Sequence, residues 1–138
     1  MSDKPRSLDQ HRRFFGLVRA CFHHWPEAHE FQPDNEEHLR AYLLVKAGHR
    51  SIKEFYIAET AANESIAQLI PIVSAVMLHR YCWSWVSGDA IKVCAPLTTN
   101  FREMKHEDAC KVYDKVDEYL HSIGIDPEQY MREAEKAA

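Results

Sequence analysis

The sequence predicts a mostly helical α+β protein, a single domain of 138 residues with a small sheet of two or three strands. Three observations predict it. Apolar residues recur at helical spacing in several segments, each bounded by a recognisable start or stop. Residues 52–58 are rich in β-branched and aromatic residues, and a second short stretch, 90–94, follows the turn signal Ser87-Gly88-Asp89. The composition, 46% apolar and 28% charged with four Gly and six Pro, is that of a globular chain and excludes disordered, collagenous and low-complexity classes.

Each element follows from local chemistry. Ser7 reads as an N-cap with Gln10 as its capping-box partner. The spacings 14, 18, 21, 25 and 15, 18, 22 carry a first helix until Pro26 stops it near Trp25. Residues 1–6 read as a flexible basic terminus and 26–33, with two prolines, as a loop. Asp34 or Asn35 caps a second helix, with Glu36 and Glu37 in its first turn and Gly48 after its end. Residues 52–58 read as a strand. Ala61 to Leu69 predicts a short helix, with Pro71 opening another that runs to about Tyr81. Ile70, Ile72, Val73 and Val76 suit a buried strand equally well, and helix is the reading adopted. Trp83, Trp85 and Val86 lead to the turn, Ala90 to Cys94 reads as a strand, and 96–100 as irregular. A clear amphipathic helix is predicted over 106–122, with the stripe Ala109, Val112, Tyr113, Val116, Tyr119 and Leu120, ending at Gly124. Asp126-Pro127-Glu128 opens a last helix to about Glu135.

The formal charge is −4, which argues against a surface that binds nucleic acid everywhere, but the positive charge is uneven. Lys4, Arg6, Arg12, Arg13 and Arg19 meet only Asp3 and Asp9 in the first twenty residues, whereas nine Asp or Glu lie between Glu107 and Glu135. Met-Ser-Asp-Lys-Pro-Arg has no apolar stretch behind it, so the expected compartment is the cytoplasm. The longest apolar stretch, Ile66 to Leu78, is short of the roughly twenty residues a spanning helix needs. Cys21, Cys82, Cys94 and Cys110 form no C-x-x-C pair and are expected to be reduced thiols.

His79, Cys82, Cys94 and Cys110 are ligands of suitable type for zinc, but their spacing matches no finger or ribbon, and buried thiols near a surface histidine account for them. Glu103, Glu107 and Asp108, and then Asp114, Asp117 and Glu118, are acidic groups of the kind a Mg²⁺-dependent nuclease needs; a solvated helix face explains both. No nucleophile elbow, phosphate loop or dinucleotide glycine pattern occurs. The basic groups are the better lead. Arg6, Arg12 and Arg13 with Lys4 and His11 form one; Lys46, His49, Arg50 and Lys53 form another. Phe55, Tyr56, Trp83 and Trp85 would complete them as stacking platforms for a single strand, with core packing as the alternative for each ring.

The run Arg6-Ser7-Leu8-Asp9-Gln10-His11-Arg12 resembles the start of the first helix in the phage Orf/NinB-type recombination proteins. Its continuation, His11-Arg12-Arg13-Phe14-Phe15-Gly16-Leu17 and His24-Trp25, is similar to a related phage family of unknown function, as are Ala47-Gly48-His49 and Thr99-Asn100-Phe101-Arg102-Glu103-Met104. The resemblance covers about 6–25, 39–58 and 95–123; residues 59–90 have no counterpart in it and read as an insertion. It implies a phage protein of the bacterial host's cytoplasm that assists recombinase loading on single-stranded DNA. Homodimers and contact with host single-strand-binding protein or recombinase would go with it, and Arg6, Gln10 and Arg12 are the residues the matching run carries over.

The expectation is therefore a non-catalytic, cofactor-free recombination mediator that binds single-stranded DNA. Arg6, Gln10, Arg12, Arg13, Lys46, Arg50 and Lys53 would meet the strand's backbone, and Tyr56, Trp83 and Trp85 its bases. The rival readings are a protein-only adaptor of a host replication or repair factor, suited to a basic partner by the acidic C-terminal helices, and a metal-dependent nuclease.

Overall fold

The computed structural model describes residues 4–56, 62–97 and 106–137. Among them are five helices, α1 (Lys4–His23), α2 (Glu36–Lys46), α3 (Asn63–Leu78), α4 (His106–Ser122) and α5 (Pro127–Ala137). Three strands, β1 (Arg50–Tyr56), β2 (Trp83–Ser87) and β3 (Ala90–Pro96), form one antiparallel sheet. The architecture is mostly helical α+β, as the periodicities predict. The described residues of Met1–Gly48 and Thr98–Ala138 form one compact unit, and those of His49–Leu97 a second, which contains the described part of the 59–90 segment.

In the helical unit, α1 packs on α5, α2 and α4, and α2 packs on α4. Val18, Cys21, Leu39, Leu43, Val116 and Leu120 are fully buried at the centre. Burial pushes the Cys21 thiol up to about 12, and the Asp117 carboxylate acts in the same direction. The caps are local. Asn35, not Asp34, caps α2, its side-chain oxygen accepting from the His38 N–H at 2.8 Å. Gly48 and Gly124 follow α2 and α4 at φ +86 and +84. After α4, the Ile125 N–H returns to Leu120 O and the Gly124 N–H to His121 O, the paired bonds of a Schellman end. Asp126 Oδ1 accepts from the N–H groups of Glu128 and Gln129 to open α5. One start differs from expectation. α1 begins at Lys4, so Ser7 lies inside the helix and 4–6 are helical, with Pro5 in the first turn where a missing N–H costs nothing.

In the second unit the sheet order is β1-β3-β2. β2 and β3 form a hairpin whose two-residue turn has Gly88 first, at φ +64. Asp89 stays at negative φ, the pattern of a type II′ turn. β1 ends at Tyr56, and the expected continuation to Ala58 lies outside the described residues. α3 packs on β2 and β3. It is one continuous helix with Pro71 inside it, not two helices meeting there. The Ser84 hydroxyl of β2 donates to the Ala67 carbonyl, the group that Pro71 leaves without its helical partner. Among the described residues no helix is long and apolar enough to cross a membrane.

Candidate functional site

Alternation along a strand sends successive side chains to opposite faces, so register decides which residues meet. In this sheet it builds three cross-strand rows on one face: Ile52, Cys94 and Trp83; Glu54, Lys92 and Trp85; Tyr56, Ala90 and Ser87. Arg50, opposite Pro96, adds a fourth. The small centres Cys94 and Ala90 are buried between larger neighbours. Tyr56 is 70% exposed and Trp85 42%, while Trp83 is half-buried. Trp83 and Trp85 stand roughly 7 Å apart along the edge strand β2, two residues of strand rise. This face thus carries two indoles, a phenol, the Arg50 guanidinium and the Lys92 ammonium.

One carboxylate sits among them. Glu54 pairs with Lys92 at 3.4 Å and accepts a hydrogen bond from the Tyr56 hydroxyl at 3.2 Å. Its charge raises the Tyr56 phenol above its ordinary value. The phenol therefore stays protonated and remains a donor through the neutral range.

The opposite face is the one α3 covers, since Ser84, of the other parity, donates its hydroxyl to the Ala67 carbonyl in α3. Lys53 and Phe55 belong to that face, both exposed. Lys53 is thus separated from Arg50, Tyr56, Trp83 and Trp85 by the thickness of the sheet. Lys92, which the sequence reading passed over, takes the place given to Lys53; it is the one charged residue of β3 and shares parity with its Trp neighbours.

The remaining expected residues lie in the helical unit. Arg12 is exposed on α1. Arg13 is paired with Glu128 of α5. Arg6 and Gln10 belong to the first turns of α1, and their side chains lie outside the described set. Lys46 places its ammonium over the rings of Tyr42 and Tyr119, 5.5 and 5.9 Å from their centroids. Those rings belong to an aromatic cluster absent from the sequence reading. Phe31 stacks on Tyr42 with centroids 3.9 Å apart, the hydroxyls of Tyr42 and Tyr119 are 2.7 Å apart, and the Trp25 indole donates to Phe31 O at 2.7 Å. Burial, then the Tyr119 hydrogen bond, raises the Tyr42 phenol. The cluster fastens the 24–35 loop to α2 and α4; its rings are spent on one another.

The acidic and metal-type groups are dispersed. Among the described residues no three His, Cys, Asp or Glu side chains are grouped to share a metal ion. His79, Cys82 and Cys94 lie in the sheet unit and Cys110 on α4. Glu103 lies outside the described residues, and Glu107, Asp108, Asp114 and Glu118 are exposed along α4. Asp114 and Asp117 line a cleft of about 180 Å³ between α1 and α4, together with Arg13, Phe14, Cys110 and Tyr113.

Comparison of the chain with known protein families, with characterised proteins and with solved structures finds no match.

Proposed function

We propose that this chain is a non-catalytic recombination mediator of the phage type that binds single-stranded DNA modestly and without sequence preference. The observation that carries the reading is the common sheet face of Trp83, Trp85, Tyr56 and Arg50, with Lys92 between the strands. Bases of any identity stack on exposed aromatic rings, and flanking cations meet the phosphates. The recombination role rests on the resemblance of residues 6–12. A host single-strand-binding protein or recombinase would be the protein partner, and the host cytoplasm the setting.

The test is fluorescence anisotropy of a labelled single strand of about thirty nucleotides, a few site sizes long, at two salt concentrations, with Trp emission recorded in the same samples. Salt-sensitive binding with Trp quenching is expected. Two phosphates held by Arg50 and Lys92 give a log–log salt slope of about −1.4, whereas five would give about −3.5. No binding at low salt overturns the proposal and favours the protein-only adaptor.

A further inference from the structure

A helix packed on a sheet ordinarily turns its apolar stripe inward and its polar residues to water. α3 is apolar on both sides. Ala67 is buried on the side of the sheet, where its carbonyl accepts from the Ser84 hydroxyl. On the other side Leu69, Ile72, Val73 and Val76 follow the spacing i, i+3, i+4, i+7 and are 53–67% exposed. Met77 extends the patch at 70%. The only charged residue in the helix is Glu64, in its first turn.

We propose that this outer face of α3 is the homodimer interface, pairing with the same face of a second copy across a two-fold axis. Its size fits. Five large side chains, each more than half exposed, make a patch of several hundred Å², in the range of about 300–600 Å² that the largest and often functional patch of a monomer reaches. A stable interface takes roughly 800 Å² from each partner, and this ridge would form its apolar centre.

The chemistry selects a second copy over other partners. A basic or acidic partner surface would find no opposite charge between Ser65 and Leu78. A two-fold pair needs a patch complementary to itself, and an uncharged apolar ridge meets that condition, as the charge-depleted cores of homodimer interfaces do. It also lets two chains of net charge −4 meet where neither presents charge. Ile72, Val73 and Val76 are stiff at χ1 and lose little freedom on docking. A membrane surface fits less well, because helices lying in the interface carry Lys or Arg beside the apolar face, and α3 has none.

The resemblance implies a homodimer but not this surface, because the interface lies in the 59–90 segment, which has no counterpart in the resembled proteins. It does not rest on the nucleic-acid reading either. Within each copy, α3 and the aromatic rows occupy opposite faces of the sheet, so pairing through α3 leaves two strand-binding faces turned outward.

Sedimentation velocity of the full chain from about 0.5 to 100 µM, which populates dimers of micromolar or tighter affinity, tests the proposal. Dimers are expected, and Ile72→Glu and Val76→Glu, each at an exposed helical position, should weaken association at least a hundredfold while leaving the far-UV spectrum unchanged, and should remove the dependence of the melting temperature on protein concentration. A wild-type monomer throughout the range overturns the proposal, as does a dimer unaffected by both substitutions. Flotation with phosphatidylcholine vesicles, with and without phosphatidylserine, should leave the protein behind; co-flotation abolished by Val76→Glu would assign the face to lipid and overturn the pairing.

Discussion

Ser84 of β2 supplies the hydrogen bond that Pro71 withholds from α3. In an unbroken helix the N–H of residue 71 would donate to the carbonyl of residue 67. Proline has no N–H, and the Ala67 carbonyl would be left unpaired on the buried side of the helix. The Ser84 hydroxyl donates to that same carbonyl. The helix therefore passes through the proline, and the contact also ties α3 to the sheet.

The coupling is measurable by a double-mutant cycle. Ser84→Ala strands a buried carbonyl and should cost about 1–3 kcal/mol. In a Pro71→Ala background the new backbone N–H restores an internal partner, and the same Ser84→Ala change should cost under about 1 kcal/mol. Chemical denaturation of the four proteins checks it; equal costs in both backgrounds would mean that the hydroxyl and the proline act separately.

α3 ends on a residue of the wrong type. His79 is its C-cap in the left-handed region, at φ 53, and the only non-glycine at positive φ among the described residues. The chain is held there by the His79 and Arg80 N–H groups on Ser74 O and by the Ser74 hydroxyl on Arg80 O at 2.9 Å. Left-handed geometry costs an L-residue about 1–2 kcal/mol, and glycine's freedom in the unfolded chain returns about 0.5–1 kcal/mol of that. The exposed imidazole has little packing to lose. His79→Gly should raise stability by roughly 0.5–1 kcal/mol, and His79→Val should lower it. A lower melting temperature for the glycine variant would show that the side chain holds the turn.

These two positions mark where local sequence stops being readable. α2, α4 and α5 are legible because their starts and stops lie within a few residues: Asn35 to His38, Leu120 to Ile125, Asp126 to Gln129. The predicted 106–122 helix matches α4 residue for residue. Pro71 read alone is a helix start; its compensation comes from Ser84, brought near only by the tertiary fold. The site divides in the same way. Parity alone places Lys53 on the other face from Arg50 and Tyr56, and Trp83 with Trp85, so that separation was open to reading. The register that sets Lys92 between Glu54 and Trp85 was not, because it depends on how three strands pair. Nor was the use of Tyr42 and Tyr119 against Lys46, which joins two helices far apart in the chain.

His38 links stability to pH. Burial lowers its imidazole below the ordinary value of 6.5, against a smaller opposing effect of Asp34. Its Nδ1 accepts the Asp34 N–H at 3.1 Å, a bond that protonation of that nitrogen removes. Below pH 6.5 the unfolded chain therefore takes up this proton more readily than the folded one. The contribution is present above 6.5 and is lost as pH falls toward the folded value. Denaturation midpoints of the wild type and of His38→Gln, measured between pH 7.5 and 5, should converge on acidification. Parallel curves would remove His38 as a source of the slope.

The two faces of the sheet make opposite predictions for single-stranded DNA. If bases stack on the rows containing Trp85 and Tyr56, each truncation to Ala should cost about 1–3 kcal/mol per base lost, roughly 5- to 150-fold in affinity, with little effect on salt slope. Arg50→Ala should weaken binding chiefly at low salt and flatten the slope by about 0.7, one phosphate's share on a single strand. Glu54→Gln releases Lys92 from its 3.4 Å ion pair and removes a negative charge from the path of the strand, so it should tighten binding and steepen the slope. Lys53→Ala, across the sheet, should leave both within error. Anisotropy titrations at two salt concentrations read all of these. If Lys53→Ala matched Arg50→Ala, and Glu54→Gln changed nothing, the strand would run along the α3 side, and the aromatic rows would be left without a role in binding it.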